Sequence, residues 1–155
     1  MAGIFKAYDI RGRYPDELDD AMARKIGDAY VRLTNANRVV VGRDMRISSF
    51  SLAEAFIEGA LAAGADITDI GMVSTPMLYY AIIQGGYDGG AMVTASHLPS
   101  DINGFKLCRE ESIPLSGDHG LPALEQMVRE GRVAPSGGPE HGKYRGVDFF
   151  GHVRQ

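Results

Sequence analysis

Hydrophobic and polar positions along the first 110 residues alternate between two patterns. Short apolar runs are separated by longer segments in which apolar residues recur every three or four positions, the spacing of one buried helix face. The runs predict five strands, over 4–10, 38–42, 66–72, 90–94 and 104–108. Strands that alternate with helices at this pitch are typical of parallel βαβ units, so we expect an α/β domain whose helices cover a sheet.

The first helix is predicted to open at Pro15 and Asp16. Its apolar positions follow the helical period: Leu18, Met22, Ile26, Ala29, Tyr30 and Leu33. Acidic side chains are favoured in a first helical turn by the helix dipole. We therefore interpret the four acids there as solvated first-turn residues rather than as a metal cluster: Asp16, Glu17, Asp19 and Asp20.

Capping signals place the later helices. Ser51 and Glu54 have the spacing of a capping box and predict the start of the second helix, which Gly64 would end. A hydroxyl followed by proline, in Ser74-Thr75-Pro76, predicts the start of the third, and Gly85-Gly86 its end. A last helix is expected within 116–130.

The pattern changes after Gly131. Residues 131–155 are rich in glycine, with scattered apolar positions and a short amphipathic stretch over 147–153. We expect one domain over 1–130, followed by a linker over 131–155.

Composition limits the classes of function. The chain has 16 Lys+Arg against 20 Asp+Glu, a net charge of −4, which disfavours a nucleic-acid or anionic-membrane surface. Its single cysteine, Cys108, excludes an internal disulfide and is interpreted as a core residue. No apolar run approaches the roughly 20 residues of a membrane span, so we expect a cytoplasmic protein.

Cations follow several predicted strands. Ligands of open α/β sheets bind beyond the carboxyl ends of the strands, where a group of cations would attract a small anion such as phosphate. The alternative, that loops are simply polar and these cations are unrelated, stays open at this stage. The cations are Arg11, Arg13, Arg43, Arg46, Lys106 and Arg109.

Ser96 is the one obvious nucleophile candidate, on a loop after the fourth strand. A serine hydroxyl is a weak nucleophile without an activating base, and the adjacent His97 is poorly placed to act as one. The sequence has neither a G-x-S-x-G elbow nor a G-x-x-x-x-G-K-[ST] phosphate loop, which disfavours a serine esterase and a P-loop enzyme. Without further information, Ser96 is a turn residue.

Three blocks of residues resemble the α-D-phosphohexomutase family: Phe5-Lys6-Ala7-Tyr8-Asp9-Ile10-Arg11-Gly12, Gly42-Arg43-Asp44-Met45-Arg46, and Thr94-Ala95-Ser96-His97-Leu98-Pro99 with Asn103-Gly104-Phe105-Lys106. The closest likeness is to bacterial phosphomannomutases and phosphoglucomutases. The resemblance covers about residues 4–130 and implies the first of the family's four domains, a layered helix-sheet-helix domain with a mostly parallel or mixed sheet. It also implies that residues 131–155 lead into a second domain.

The resemblance implies roles for individual residues. Ser96 matches the serine that carries a phosphoryl group between hexose 1-phosphate and hexose 6-phosphate through a bisphosphate, and its phosphate oxygen matches one Mg²⁺ ligand. Lys106 matches the lysine beside the transferred group, and His97 a residue that holds the phosphoserine. Tyr8 and Arg11 match substrate-facing residues of the first loop.

Arg46 is expected either to order the loop or to act as an outer cation of the substrate site. The sequence departs from the family's pattern at Leu98, where asparagine is usual, and at Ile102, where an aromatic is common. Neither position carries the phosphoryl group in the family, so these departures bear on how the loop packs rather than on its chemistry.

The resemblance also implies what lies outside this chain. The remaining Mg²⁺ ligands belong to an aspartate-rich loop of the second domain, and recognition of the phosphosugar substrate belongs to the third and fourth. We therefore expect the 155-residue chain to be inactive alone, and the intact enzyme to use Mg²⁺ and hexose 1,6-bisphosphate as activator. The alternative is a non-catalytic phosphate-binding or assembly module with the same fold.

Overall fold

The structure of the chain, a computed structural model, describes residues 2–131 and 141–149. Its strands are β1 (Ile10–Arg13), β2 (Arg38–Arg43), β3 (Asp66–Met72), β4 (Gly89–Val93), β5 (Ile102–Arg109) and β6 (Tyr144–Gly146). Its α-helices are α1 (Asp20–Thr34), α2 (Ile47–Ala62), α3 (Thr75–Gly85) and α4 (Leu121–Glu130). Single turns of 3₁₀-helix cover Ala2–Ile4 and Glu110–Ser112.

The strands form one mixed sheet in the order β1-β5-β4-β2-β3-β6. β2 is parallel to β3 and β4, and β3 is parallel to β6, whereas β5 is antiparallel to both β4 and β1. The α/β class and the mostly parallel or mixed sheet are confirmed. The sheet is not purely parallel, because the connection between β4 and β5 is too short to contain a crossover helix and β5 therefore runs antiparallel to β4.

The larger core lies on one face of the sheet, beneath α1, α2 and α4. Its centre is an aromatic row in which the Phe56 ring lies 5.7 Å from that of Tyr30 and 5.4 Å from that of Phe105. α1 and α2 approach through Gly27 and Gly59, where any Cβ would overlap a backbone carbonyl of the other helix. A side chain at either glycine would push the two helices apart.

The opposite face is covered by α3, which packs against β2 and β4 through Leu78 and Ile82. On that face β5 and β1 carry polar side chains instead, with Lys106 30% and Arg11 38% exposed. The sheet therefore offers a partly open polar area beside α3.

Four predicted element starts were wrong by four or more residues, those of β1, α1, α2 and α4, because turns or side-chain hydrogen bonds occupy the predicted positions. The predicted strand over 4–10 is broken by a turn in which the Lys6 N–H donates to the Asp9 carbonyl at 2.8 Å, so β1 begins at Ile10. α1 begins at Asp20, because the Glu17 and Leu18 N–H groups both donate to the carbonyl of Arg13 in a separate turn.

α2 begins at Ile47, four residues before the predicted capping box. The hydroxyl of Ser51 instead donates to Asp20 Oδ2 at 2.5 Å, which ties α2 to the start of α1. α4 begins at Leu121, after turns over 116–120.

Several expectations were confirmed. β3 has the predicted bounds, Ser74 caps α3 by accepting the Met77 N–H at 3.4 Å, and Cys108 is buried. Of the four acids expected in the first turn of α1, only Asp20 lies there. Asp19 is the N-cap and accepts the Met22 N–H at 2.8 Å, and Asp16 and Glu17 precede the helix because it begins later than predicted. The described ranges contain no group of three or more His, Cys, Asp or Glu side chains that could hold a metal ion.

Residues 141–149 contribute a strand to one edge of the sheet. β6 pairs with β3, and Phe149 packs edge-on against Tyr80 at 6.3 Å between ring centroids. Of the amphipathic stretch predicted over 147–153, residues 150–153 lie outside the described residues. None of the helices in the described part is long and apolar enough to cross a bilayer.

Burial raises the pKa of the Cys108 thiol from 9.0 to about 11, against the opposing charge of Lys106. A thiol whose pKa is higher in the folded state contributes stability below the unfolded pKa and loses it as the pH rises. We expect the free energy of unfolding of the parent chain to fall by on the order of 2 kcal/mol more than that of Cys108→Ala between pH 8.5 and 11. Urea unfolding at three pH values in this window measures the difference, and parallel curves for the two chains would contradict it.

Candidate active site

Ser96 lies on the loop between β4 and β5, and its side chain is exposed. Its backbone is left-handed, with φ 57°, a conformation that costs a non-glycine residue about 1 kcal/mol. The Ser96 N–H donates to Thr94 Oγ1 at 3.0 Å, while its own hydroxyl makes no hydrogen bond with the residues that the structure describes. The loop therefore turns the Ser96 hydroxyl toward solvent and leaves it available.

Arg46 holds this loop with all five N–H groups of its guanidinium. Nη2 donates to the carbonyls of Ser96 and Leu98 at 3.1 and 2.7 Å. Nη1 donates to those of Pro99 and Ile102 at 2.6 and 2.9 Å. Nε donates to Asp44 Oδ2 at 3.2 Å, and the Arg46 side chain is only 8% exposed.

Of the two roles considered for Arg46, these contacts support the ordering of the loop. They also explain why Leu98 and Ile102 are tolerated where the family pattern has other residues. Both contribute a backbone carbonyl to Arg46, and a carbonyl does not depend on the identity of the side chain.

Asp44 anchors Arg46 to the rest of the sheet edge. Its carboxylate accepts hydrogen bonds from Thr94 Oγ1 at 2.7 Å, from the Ser49 hydroxyl, and from the Arg46 N–H at 3.1 Å. Asn103, which is fully buried, donates to the hydroxyls of Ser48 and Ser49 at 2.8 and 2.9 Å. One network thus connects the ends of β2, α2, β4 and β5.

A second group of charges lies on the open face of β1 and β5. Asp9 Oδ1 accepts from Arg11 Nε at 2.9 Å, and Asp9 Oδ2 lies 3.8 Å from Lys106 Nζ. The sheet brings together Arg11 and Lys106, two residues that are 95 positions apart in the sequence.

Gly104 connects this charged group to the serine loop. Its carbonyl accepts the Thr94 N–H at 3.0 Å, and its Cα pairs with that of Arg11. A Cβ at position 104 would overlap the carbonyl oxygen of Ile10. Only glycine at this position lets β1 lie this close to β5.

Tyr8 and His97 are both exposed, Tyr8 to 78% at the tip of the turn before β1. Neither makes a side-chain hydrogen bond with a described residue. Two further predicted cations are engaged elsewhere. Arg13 forms an ion pair with Glu17 at 3.0 Å, and Arg43 lies over the ring of Phe50, 5.1 Å from its centroid.

Sequence reasoning assigned no role to Asp9, Asp44 or Asn103, although all three lie inside the quoted blocks. Asp44 and Asp9 each stand two positions before an arginine, Arg46 and Arg11, and this spacing is the local signal that could have indicated the two ion pairs. The contact of Asp9 with Lys106 and the contacts of Asn103 join residues far apart in the sequence and have no such local signal.

The described residues do not form a Mg²⁺ site by themselves. Mg²⁺ prefers six oxygen ligands in octahedral geometry. Near Ser96, the carboxylate of Asp44 is engaged by Arg46, Ser49 and Thr94, which leaves the serine oxygen as the one expected ligand.

We expect Arg46→Lys to loosen the serine loop, because an ammonium cannot reach four carbonyls and a carboxylate at once. The free energy of unfolding should fall by about 2 kcal/mol, and amide exchange should accelerate at Ser96, Leu98 and Ile102. Arg43→Lys is the matched control and should change neither quantity appreciably. Unaltered exchange at those three amides in Arg46→Lys would show that the guanidinium does not order the loop.

Sequence comparison relates this chain to known proteins. The sequence model of phosphoglucomutase/phosphomannomutase, alpha/beta/alpha domain I, matches residues 2–133. A phosphomannomutase of Salmonella typhimurium is 44% identical over 145 residues, which cover 94% of this chain and 32% of the relative. A phosphomannomutase of Klebsiella pneumoniae is 42% identical over 146 residues, covering 94% of this chain and 93% of the relative.

Among solved structures, a phosphoglucomutase/phosphomannomutase family protein from Burkholderia thailandensis superimposes with a TM-score of 0.85 at 36% identity. The match covers 99% of this chain and 34% of that one. This chain thus spans about a third of the length of the Salmonella and Burkholderia proteins. Because the family model covers most of the chain and the Klebsiella relative matches over nearly its whole length, the chain belongs to the phosphoglucomutase/phosphomannomutase family and corresponds to its alpha/beta/alpha domain I.

Proposed function

We propose that this chain is the phosphoserine domain of a hexose-phosphate mutase, an enzyme that interconverts hexose 1-phosphate and hexose 6-phosphate through a bisphosphate. Ser96 is the residue that carries the phosphoryl group. Tyr8, Arg11, His97 and Lys106 complete this chain's part of the site. The substrate is a phosphosugar, and the rest of the site belongs to further domains of the same enzyme.

One observation carries the proposal: an exposed, unengaged Ser96 hydroxyl lies on a loop whose backbone is fixed by Arg46. A hydrolase would need a base beside the serine, and no described side chain hydrogen-bonds to it. A serine that arrives already phosphorylated needs no such base. It needs a fixed backbone, which the Arg46 contacts support, and cations that can reach the phosphoryl group, for which we propose Arg11 and Lys106.

In the first half-reaction the bond between Ser96 Oγ and phosphorus breaks, and a new bond forms between phosphorus and a hydroxyl oxygen of the hexose phosphate. The proton of that hydroxyl ends on Ser96 Oγ, so Ser96 is left as a free hydroxyl. In the second half-reaction the other phosphoryl group of the bisphosphate is transferred to Ser96 Oγ: its bond to the hexose oxygen breaks, and the serine proton ends on that oxygen. Both steps bring two anions together, so they depend on fixed positive charge.

Lys106 and Arg11 supply that charge from this chain. Lys106, held only loosely by Asp9 at 3.8 Å, is the cation that can move to the transferred phosphoryl oxygens. His97, adjacent to Ser96 and exposed, would contact the phosphoserine, and the exposed Tyr8 would contact substrate.

Mg²⁺ would supply charge neutralisation when bound, with the phosphoserine oxygen as this chain's ligand. Its other ligands would come from outside the chain, because the described residues offer no suitable group. Hexose 1,6-bisphosphate would act as activator by phosphorylating Ser96. We accordingly predict that the isolated 155-residue chain is inactive, because the other metal ligands and the residues that bind the sugar would belong to further domains of the enzyme.

We expect Ser96 to take up the phosphoryl group in the full-length mutase. Incubation with glucose 1,6-bisphosphate labelled in its phosphates should label the parent enzyme, and intact mass should show one added phosphate. Ser96→Ala should not be labelled, whereas Ser100→Ala, on the same loop, should be labelled like the parent. Equal labelling of parent and Ser96→Ala would refute the assignment, and an unlabelled parent would favour the non-catalytic binding module.

We expect Lys106→Met in the full-length mutase to lower kcat by about a hundredfold with a much smaller change in KM. A cation that is needed as charge develops acts on the transition state more than on bound substrate. Lys143→Met is the matched control, because it removes the same charge from an exposed position before β6, at the edge of the sheet opposite β1. Normal turnover with weakened affinity would show that Lys106 serves binding alone.

A further inference from the structure

Asp9 is a carboxylate placed between the two cations that the proposed chemistry uses. Its side chain is 12% exposed, with Oδ1 at 2.9 Å from Arg11 Nε and Oδ2 at 3.8 Å from Lys106 Nζ. A carboxylate in a site for anions opposes binding, so its presence there calls for a physical reason.

The backbone of Asp9 is fixed on both sides. The Asp9 carbonyl accepts the Lys6 N–H at 2.8 Å. The next residue, Ile10, forms an antiparallel β-bridge with Phe5. The carbonyl of Ala7, in the same turn, accepts the Gly117 N–H at 2.6 Å. The carboxylate is thus presented from a closed turn that is held against the body of the domain.

Strand register places the three charges on one face. Ile10 pairs with Phe105 and Arg11 pairs with Gly104, so Asp9 faces Lys106 across the end of β1. Arg11 and Lys106 are then diagonal neighbours on adjacent strands, and Gly104 puts no side chain between them. Two like charges at this spacing repel, and an acid that contacts both of them offsets the repulsion.

Tyr79 of α3 reports the same placement of charge. Burial raises the pKa of Tyr79 above its ordinary value, and Cys108 and the negative charge of Asp9 raise it further. The carboxylate therefore acts on the α3 side of the sheet, where the open polar area lies.

We propose that Asp9 is a positioning residue of the phosphoryl-transfer site, which holds Arg11 in one orientation and keeps Lys106 nearby but free to move to phosphate. The unequal distances support this division, because a 2.9 Å hydrogen bond fixes a guanidinium whereas a 3.8 Å ion pair leaves an ammonium mobile. The inference rests on the proposed function for the identity of the anion, but the arrangement of the three side chains does not.

The first test is Asp9→Asn in the full-length mutase. We expect kcat to fall about tenfold to a hundredfold, because the two cations lose their alignment. KM for glucose 1-phosphate should stay the same or fall, because the variant removes a negative charge from an anion site. Asp16→Asn, an exposed acid before α1, makes the same change in net charge and should leave both constants unaltered. A raised KM with normal kcat would overturn the proposal, as would parent values for both.

The second test uses the 155-residue chain and does not depend on phosphoryl transfer. Hydrogen exchange at the Arg11 Nε–H group, followed by nitrogen-15 NMR, should be at least tenfold slower than at the exposed Arg145, and Asp9→Asn should abolish the difference. If Asp9→Asn does not fold, the parent alone decides, since equal exchange at Arg11 and Arg145 overturns the proposal. Labelling of Ser96→Ala would refute the proposed function while leaving this measurement to stand or fall by itself.

Discussion

The arrangement of the candidate site depends on one buried guanidinium. Arg46 contacts four carbonyls of the serine loop and the carboxylate of Asp44, which is itself bonded to β4 and α2. A buried charge is costly unless every donor is satisfied, and here all five are. The same contacts offset the left-handed backbone of Ser96, because they fix its own carbonyl and three carbonyls of the residues that follow it. A loop held by its own backbone in this way can present a reactive hydroxyl without using that hydroxyl for structure.

The division of labour between the two faces of the sheet follows from which elements cover them. α1, α2 and α4 bury one face completely around Phe56 and Phe105, and this supplies most of the domain's apolar burial. α3 covers only the middle of the other face, so Arg11, Asp9 and Lys106 remain partly hydrated beside it. Partial hydration lets cations bind an anion without the full cost of burying unpaired charge.

The sequence predicted the fold better than it predicted the site's contacts. Strands such as β3 and caps such as Ser74 are determined by a few adjacent residues, so the local pattern was sufficient to predict them. The predicted start of α2 was wrong because the Ser51 hydroxyl, instead of capping the helix, donates a hydrogen bond to Asp20, a residue 31 positions away. The family resemblance suggested Ser96, Lys106 and Arg11 as site residues, whereas the contact of Asp9 with Lys106 depends on cross-strand register, which no local pattern encodes. The loop-ordering contacts of Arg46 likewise became evident only from the carbonyls that it reaches.

The pairing of β1 with β5 has a consequence for how the domain forms during synthesis. β2, β3 and β4 are linked by local βα units and can associate in chain order, but Ile10 must wait for Phe105. Pairings so distant in sequence are entropically the slowest to form. β1, which leaves the ribosome before β2, β3 and β4, is therefore among the last of these strands to join the sheet, and the charged half of the site is completed only after β5 has emerged. A nascent chain would have its core beneath α1 and α2 before it could bring Arg11 and Asp9 beside Lys106, so the charged face belongs to the finished domain and not to its folding intermediates.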